Sequence, residues 1–325
     1  MKIGNTELEY GLILAPMAGF TDRAMRLVAN RCGAEYGVTE MVSAKAVCYG
    51  DKKTHTLARI MSDEGPCALQ IFGKEPNIMA QAAAILEAGE ENSSAPVAID
   101  INMGCPVNKI FSNGEGSALM KNPGLIYDIV KAVSEAIHIP CTVKLRAGVD
   151  KDSINAVECA IAAEEGGAQA VTVHGRTRAE MYSGKANCDV VKNVKNGVHI
   201  PVIASGDIVD LNSFLEVREK TGADAFMIGR GAIGNPFIFS EIKAYLSKEK
   251  YELPTLSERI EMALCQLKAA VLEKGETVAV RESRKQIALY LHAFKGASQI
   301  RAKVNRAESY SEIEVALYSV LEEKL

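Results

Sequence analysis

Through the first 230 residues, short apolar runs rich in β-forming residues alternate with longer segments whose apolar positions recur three and four residues apart. Eight such runs read as strands: LILA (12–15), YGVTEMV (36–42), CALQIF (67–72), VAIDIN (97–102), CTVKLR (141–146), AVTVHG (170–175), PVIASG (201–206) and AFMIG (225–229). Between them EPNIMAQAAAILEAG, NPGLIYDIVKAVSEAIH and SINAVECAIAAEEGGA read as amphipathic helices. Spacings of roughly 25 to 45 residues suit strand-loop-helix-loop units, and eight such units with right-handed parallel crossovers close on themselves. The pattern therefore predicts an α/β fold, a (β/α)8 TIM barrel over residues 1–245, with a doubly wound open sheet as the alternative. KEKYELPTL then reads as a polar linker. Residues 255–325 keep helical spacing without a convincing strand, which predicts a C-terminal all-α helical bundle.

Composition narrows the setting. With 48% hydrophobic and 24% charged residues the chain is ordinary for a globular protein, and no window approaches the roughly 18 unbroken apolar residues of a membrane span. The start, MKIGNTELEY, has no apolar core of a signal peptide. A cytoplasmic, membrane-free monomer is expected. The eight cysteines form no C-x-x-C pair and no Cys/His cluster at zinc spacing, so no metal site is expected and most cysteines should be small core residues.

The net charge of −4 hides an asymmetry. Between Arg281 and Arg306, Arg281, Arg284, Lys285, Lys295, Arg301, Lys303 and Arg306 face a single acid, Glu282. A polyanion should therefore meet the protein at its C-terminal end.

In barrels of this kind reactive groups stand at the C-terminal ends of strands and in the loops that follow. The fourth strand ends in DINMGCPVNKI, where a Gly and a Pro flanking Cys105 prevent both strand and immediate helix. A thiol on such a loop can face a pocket, as acid or nucleophile according to its pKa. Lys144 alternates with Val143 and Leu145 in an otherwise apolar strand and needs a compensating anion or polar ligand. Gln70 and His174 hold equivalent places on the third and sixth strands. ASGDI (204–208) and IGRGAIGNP (228–236) follow the seventh and eighth strands, where barrels commonly bind phosphate through backbone N–H groups.

At this point the chain resembles the tRNA-dihydrouridine synthases, most of all the bacterial B type. The similarity is carried by APMAGFTDRAMR (15–26), TEMVSAKA (39–46), LQIFG (69–73), DINMGCPVNK (100–109), VKLRAG (143–148), VHGRTRAEMYSGKAN (173–187), IASGDI (203–208) and ADAFMIGRGAIGNPFIF (223–239). It extends, more loosely, into RESRKQIALYLHAFKGASQIRAKVNRAES (281–309). The resemblance implies an FMN site formed by Pro16, Met17, Ala18, Gln70, Lys144 and His174, with Ser205, Gly206, Asp207, Gly229 and Arg230 at the phosphate end. It implies that Cys105 is the proton donor, and that Asn102, Lys109 and Arg176 lie near the substrate. Arg281, Arg284, Lys285, Arg301, Lys303 and Arg306 would hold tRNA. Ser205 stands where the family commonly has Asn, and Cys188 where an aromatic is frequent.

The implied reaction is reduction of the C5=C6 bond of a tRNA uridine, expected in the D-loop, to 5,6-dihydrouridine. Reduced FMN would give hydride to C6 and Cys105 a proton to C5, which requires a thiol rather than a thiolate. Lys144 would stabilise the anionic reduced flavin, and NADPH would reduce the flavin, although the chain has no G-x-G-x-x-G of its own. Two other readings exist: a small-molecule FMN barrel of the dihydroorotate dehydrogenase type, which has no use for a cationic tail, and a non-catalytic RNA-binding barrel, which has no use for Cys105, Lys144 and His174 together.

Overall fold

Eight parallel strands hydrogen-bond in sequence order: β1 (Leu12–Leu14), β2 (Tyr36–Val38), β3 (Cys67–Phe72), β4 (Ala98–Met103), β5 (Cys141–Arg146), β6 (Ala170–His174), β7 (Val202–Ser205) and β8 (Ala225–Ile228). β8 pairs with β1, and the ring is closed. The computed structural model describes the whole chain except residues 90–92, 292, 293, 295, 296 and 323–325, so Lys295 of the basic segment lies outside the described residues.

Strand parity sorts the side chains. Cys141, Val143 and Leu145 of β5 belong to the large apolar core between strands and helices. Thr142, Lys144 and Arg146 take the other parity, and register places Lys144 beside Asn102 and Thr172, and Arg146 beside His174. The lower barrel interior is filled by Ile13, Tyr36, Val38, Ala68, Ala98, Ala170, Ile203 and Ala225. This alternation sends the apolar face of each strand outward against a helix and leaves the upper inner face to polar groups.

The sequence pattern gave no hint of the antiparallel hairpin Lys2–Ile3 with Thr6–Glu7, whose strands are two residues each. Ile3 and Leu8 from it pack with the small inner residues. A side chain at Gly4 would collide with Pro140, which precedes β5, so the hairpin closes the end of the barrel away from the strand C-termini. The second strand also differs from the single run expected over 36–42. It breaks after Val38 and resumes at Val42–Ser43, because Thr39 turns its Oγ1 to accept a hydrogen bond from the Gln70 N–H at 3.0 Å.

The surrounding helices are α1 (Arg23–Arg31), α2 (Ala44–Cys48), α3 (Lys52–Ala58), α4 (Pro76–Ala88), α5 (Asn108–Ser112), α6 (Pro123–Ala136), α7 (Ala156–Glu165), α8 (Cys188–Gly197), α9 (Leu211–Thr221) and α10 (Ile238–Ser247). Their starts follow local chemistry. Asp22 caps α1 by accepting from the Met25 N–H, and Asp210 with Ser213 forms a capping box on α9.

Past the polar segment come α11 (Leu256–Lys274), α12 (Glu276–Leu289), α13 (Ala297–Arg306) and α14 (Tyr310–Glu322). Thr255 and Glu258 form the capping box that starts α11, and Gly275 at φ +76° ends it. Ile260, Leu264, Leu267, Ile287, Ile300, Val304, Ile313 and Leu317 make a core of their own. α11 and α12 lean on α1 through Ala269, Ala270 and Ala279 against Ala24 and Leu27. Lys274 reaches Asp22 at 2.6 Å, and a side chain at Gly234, just past β8, would strike Leu289. The helical tail therefore abuts the loops after β1 and β8, at the rim where the strands end.

Candidate active site

The strand C-termini surround a cavity of about 470 Å³. Pro16, Met17, Ala18, Gln70, Asn102, Cys105, Lys144, His174, Ser205, Gly206, Asp207, Gly229 and Arg230 all line it. Eight strands and their loops thus converge residues spread over more than two hundred positions.

One wall is a connected polar network. Thr142 Oγ1 donates to Asp100 Oδ1 at 2.6 Å, and Gln70 Nε2 donates to Asp100 Oδ2 at 2.7 Å. Gln70 Oε1 accepts from Asn102 Nδ2 at 2.8 Å, and Asn102 Oδ1 accepts the N–H groups of Gly104 and Cys105 at 3.1 and 2.8 Å. This chain fixes both amide orientations and carries the barrel's rigidity to the Cys105 loop. Asp100 is the buried acceptor that anchors the network, and burial raises its pKa against its hydrogen bonds.

Cys105 is 8% exposed, and its carbonyl is held by Ser117 Oγ at 2.7 Å. Burial raises its pKa, opposed by the Val107 N–H and by the charges of Arg146 and Lys144. The sulfur is therefore a thiol at neutral pH and can donate a proton.

Lys144 has no hydrogen bond or ion pair among the described residues, although it faces the cavity. Burial, then repulsion from Arg146, lowers its pKa to about 8. His174 is pushed further, to about 2, by burial and by Lys144, Arg146, Arg176 and Arg230. It is a neutral imidazole. Arg176 Nη1 lies 3.4 Å from His174 Nε2, and arginine can only donate, so the ring proton belongs on Nδ1.

At the β7 and β8 ends the chain turns tightly. Gly206 has φ +120° and Asp207 φ +53°; a Cβ on Gly206 would meet Ala186 Cβ at 2.8 Å, and one on Gly231 would meet the Ile208 carbonyl at 2.3 Å. The N–H groups of Gly206, Asp207, Gly229, Arg230 and Gly231 donate to no group among the described residues. The Asp207 carboxylate faces sideways, accepting from the Ala186 N–H and Arg176 and pairing with Arg230. Burial would raise its pKa, but these partners hold it below the usual carboxylate range.

Several sequence expectations fall elsewhere. Arg176, expected near substrate, does not line the cavity. It is 1% exposed and grips the Ser183 and Gly184 carbonyls and Asp207, so it supports the loop after β6 from behind. Lys109 is exposed on α5, outside the cavity wall. Arg281, Lys285, Lys303 and Arg306 are exposed and Arg284 and Arg301 half-buried on α12 and α13, and none of the six forms an ion pair among the described residues.

Two polar cavity residues went unnoticed in the sequence. Arg146 shares the inward parity of Lys144 and holds the carbonyls of Gly104, Thr177 and Met181 at 2.8 to 2.9 Å. Tyr182, 54% exposed, lies with its ring 5.8 Å from the Arg146 guanidinium and 5.0 Å from that of Arg230. Parity could have found Arg146, but nothing in the sequence places Tyr182.

Known proteins agree with this picture. The sequence model of the dihydrouridine synthases matches residues 13–324. A tRNA-dihydrouridine synthase B of Vibrio cholerae is 42% identical over 95% of this chain and 95% of its own length. One from Pseudomonas syringae is 41% identical over 95% and 90%. A probable tRNA-dihydrouridine synthase of Rickettsia conorii is 40% identical over 94% and 91%. Among solved structures, histamine dehydrogenase from a Rhizobium species superposes with a TM-score of 0.57 at 12% identity, over 88% of this chain and 50% of that one, a likeness of fold alone. With a matching family model over nearly its whole length and relatives at 40% identity and above, the chain belongs to the dihydrouridine synthase family.

Proposed function

We propose that the protein reduces the C5=C6 bond of uridine in tRNA, in the D-loop, to 5,6-dihydrouridine, with FMN as resident cofactor, NADPH as reductant and Cys105 as proton donor. One observation carries the reading: the Lys144 ammonium, unpartnered among the described residues, and the protonated Cys105 thiol line the same cavity.

The residues present fit a flavin mononucleotide. Lys144 lacks an anion, Gln70 is locked to present one fixed orientation, and the free N–H groups from Gly206 to Gly231 with Arg230 suit a phosphate. Ser205 in place of Asn leaves these backbone donors untouched. Gly206 and Gly231 keep open a space that side chains could not share with the neighbouring backbone. When bound, FMN supplies the hydride for C6.

The rest of the chemistry is the protein's own. Cys105 Sγ–H gives its proton to C5, and burial keeps that proton in place until the substrate arrives. Asn102, pinned by Gln70, orients the loop through the two N–H groups it accepts. His174, neutral, offers a hydrogen bond without adding positive charge beside Lys144. Lys144 balances negative charge in the cavity and, with a pKa near 8, remains mostly charged at neutral pH. A uridine in folded tRNA must swing out to reach this depth. The cations on α12 and α13, unpaired among the described residues, together with Lys109 on α5, would hold the surrounding phosphates. This divides the chain into a catalytic part, 1–245, and an RNA-gripping part, 255–325.

Position-by-position mapping of dihydrouridine in tRNA from cells lacking the protein tests the reading. Loss of the modification at defined D-loop positions is expected. An unchanged map would overturn it.

A further inference from the structure

We infer that Arg178, on the loop after β6, is a positioning residue that fixes the turn carrying Cys105 and thereby sets the reactivity of its thiol. The inference rests on the proposed role of Cys105 only for its catalytic consequence.

The contacts converge on one short stretch. Arg178 Nε donates to the carbonyl of Pro106, the residue directly after Cys105, at 3.3 Å. Its Nη2 donates to Asn108 Oδ1 at the start of α5. The same guanidinium lies 4.1 Å from the ring centroid of Phe111, one turn along the same helix face, and Lys121 Nζ lies 4.6 Å from that ring. One side chain thus holds the turn at its beginning, at the N-terminus of α5 and along its length.

The other anchors of this loop act upstream or from beneath. Asn102 takes the N–H groups of Gly104 and Cys105, Arg146 takes the Gly104 carbonyl, and Ser117 takes the Cys105 carbonyl. Beyond Cys105 the stretch 106–108 is held from outside by Arg178. That stretch contains Val107, whose N–H faces the sulfur and opposes the burial that raises its pKa. The backbone of Arg178 is itself secured, its N–H donating to the Gly148 carbonyl at 2.9 Å. The clamp therefore ties the β4 loop to the fixed β5 and β6 loops across the rim. Because it is half-buried at the rim and stabilises one five-residue helix, its removal should leave the barrel folded.

The reactivity of the thiol in the free, FMN-loaded protein tests this without reference to catalysis. Iodoacetamide labelling of the Cys105 peptide is followed by mass spectrometry against pH for the native protein, Arg178→Ala and Arg178→Lys. For Arg178→Ala, labelling at pH 7.5 should rise about tenfold, as exposure and rehydration of the sulfur outweigh the loss of the Val107 N–H, and kcat should fall about tenfold with tRNA Kd and FMN content unchanged. Arg178→Lys, which keeps a donor for the Pro106 carbonyl, should lie between. Unchanged labelling in Arg178→Ala would overturn the inference, and a weakened tRNA Kd with unchanged labelling would make Arg178 a phosphate contact instead. Altered labelling with unaltered kcat would leave the clamp intact and count against Cys105 as the acid.

Discussion

Lys144 offers a quantitative test, because the protein spends stability to keep it where it is. A lysine held at about 8 instead of the ordinary 10.5 disfavours folding by roughly 3 kcal/mol at neutral pH, at about 1.4 kcal/mol per pH unit. The sign follows from which state binds the proton more tightly. Below pH 8 both states are charged and the full cost is present; between 8 and 10.5 the unfolded chain keeps a proton that the folded one has lost, so the cost fades. Substituting Met retains the length of the stem and removes the charge. Flavin-free Lys144→Met should therefore be more stable than the native protein by up to about 3 kcal/mol at pH 7, and by nearly nothing at pH 10.5. Urea unfolding of both proteins across this range reports on Lys144, since groups that do not interact with it cancel in the difference, and carrying Cys105→Ala in both proteins removes the neighbouring thiol that its charge also shifts. The same variant should bind FMN at least tenfold more weakly by fluorescence titration, having lost the cation that faces the cavity. A variant less stable than the native protein at pH 7, or a difference that does not shrink with rising pH, would refute the account of a half-buried ammonium without a partner among the described residues.

Two further outcomes follow from the site and the tail. Reversing Arg301 and Lys303 to Glu should weaken tRNA binding about tenfold or more and flatten its dependence on log salt by about 1.5, with flavin content unchanged; equal affinity in a filter-binding titration would remove α13 from the RNA surface. Gly206→Ala must place a Cβ against Ala186 and His174 at φ +120°, and should cost roughly 2 kcal/mol in unfolding experiments and release flavin; a stable variant with full flavin content would show that the β7 turn is not the phosphate cradle.

The fold was legible because barrel strands pack on both faces and their apolar runs are long enough to see. The hairpin at residues 2–7 was not, since two-residue strands carry no periodicity, and its fit under the barrel depends on the absence of a side chain at Gly4. Much of the site could be read from parity. Gln70, Asn102, Lys144 and His174 interrupt apolar strands on the inward side, and a polar group there needs a partner. Arg146 and Asp100 obey the same rule, and the sequence reading singled out neither. Arg176 shows the opposite limit. The family resemblance implies a place near the substrate, but the loop after β6 returns at residues 183–184 to offer it carbonyls, a three-dimensional fact with no local signature. The ring of Tyr182 between two guanidiniums is hidden for the same reason.

The central claim is that a protonated Cys105 completes reduction of a tRNA uridine. Native protein and Cys105→Ala, each loaded with FMN, are incubated with an unmodified tRNA transcript and NADPH, and dihydrouridine is quantified by mass spectrometry after digestion. The account predicts dihydrouridine in the native reaction and at least a hundredfold less with Cys105→Ala at equal flavin content and equal tRNA affinity. Equal yields from the two proteins would contradict it.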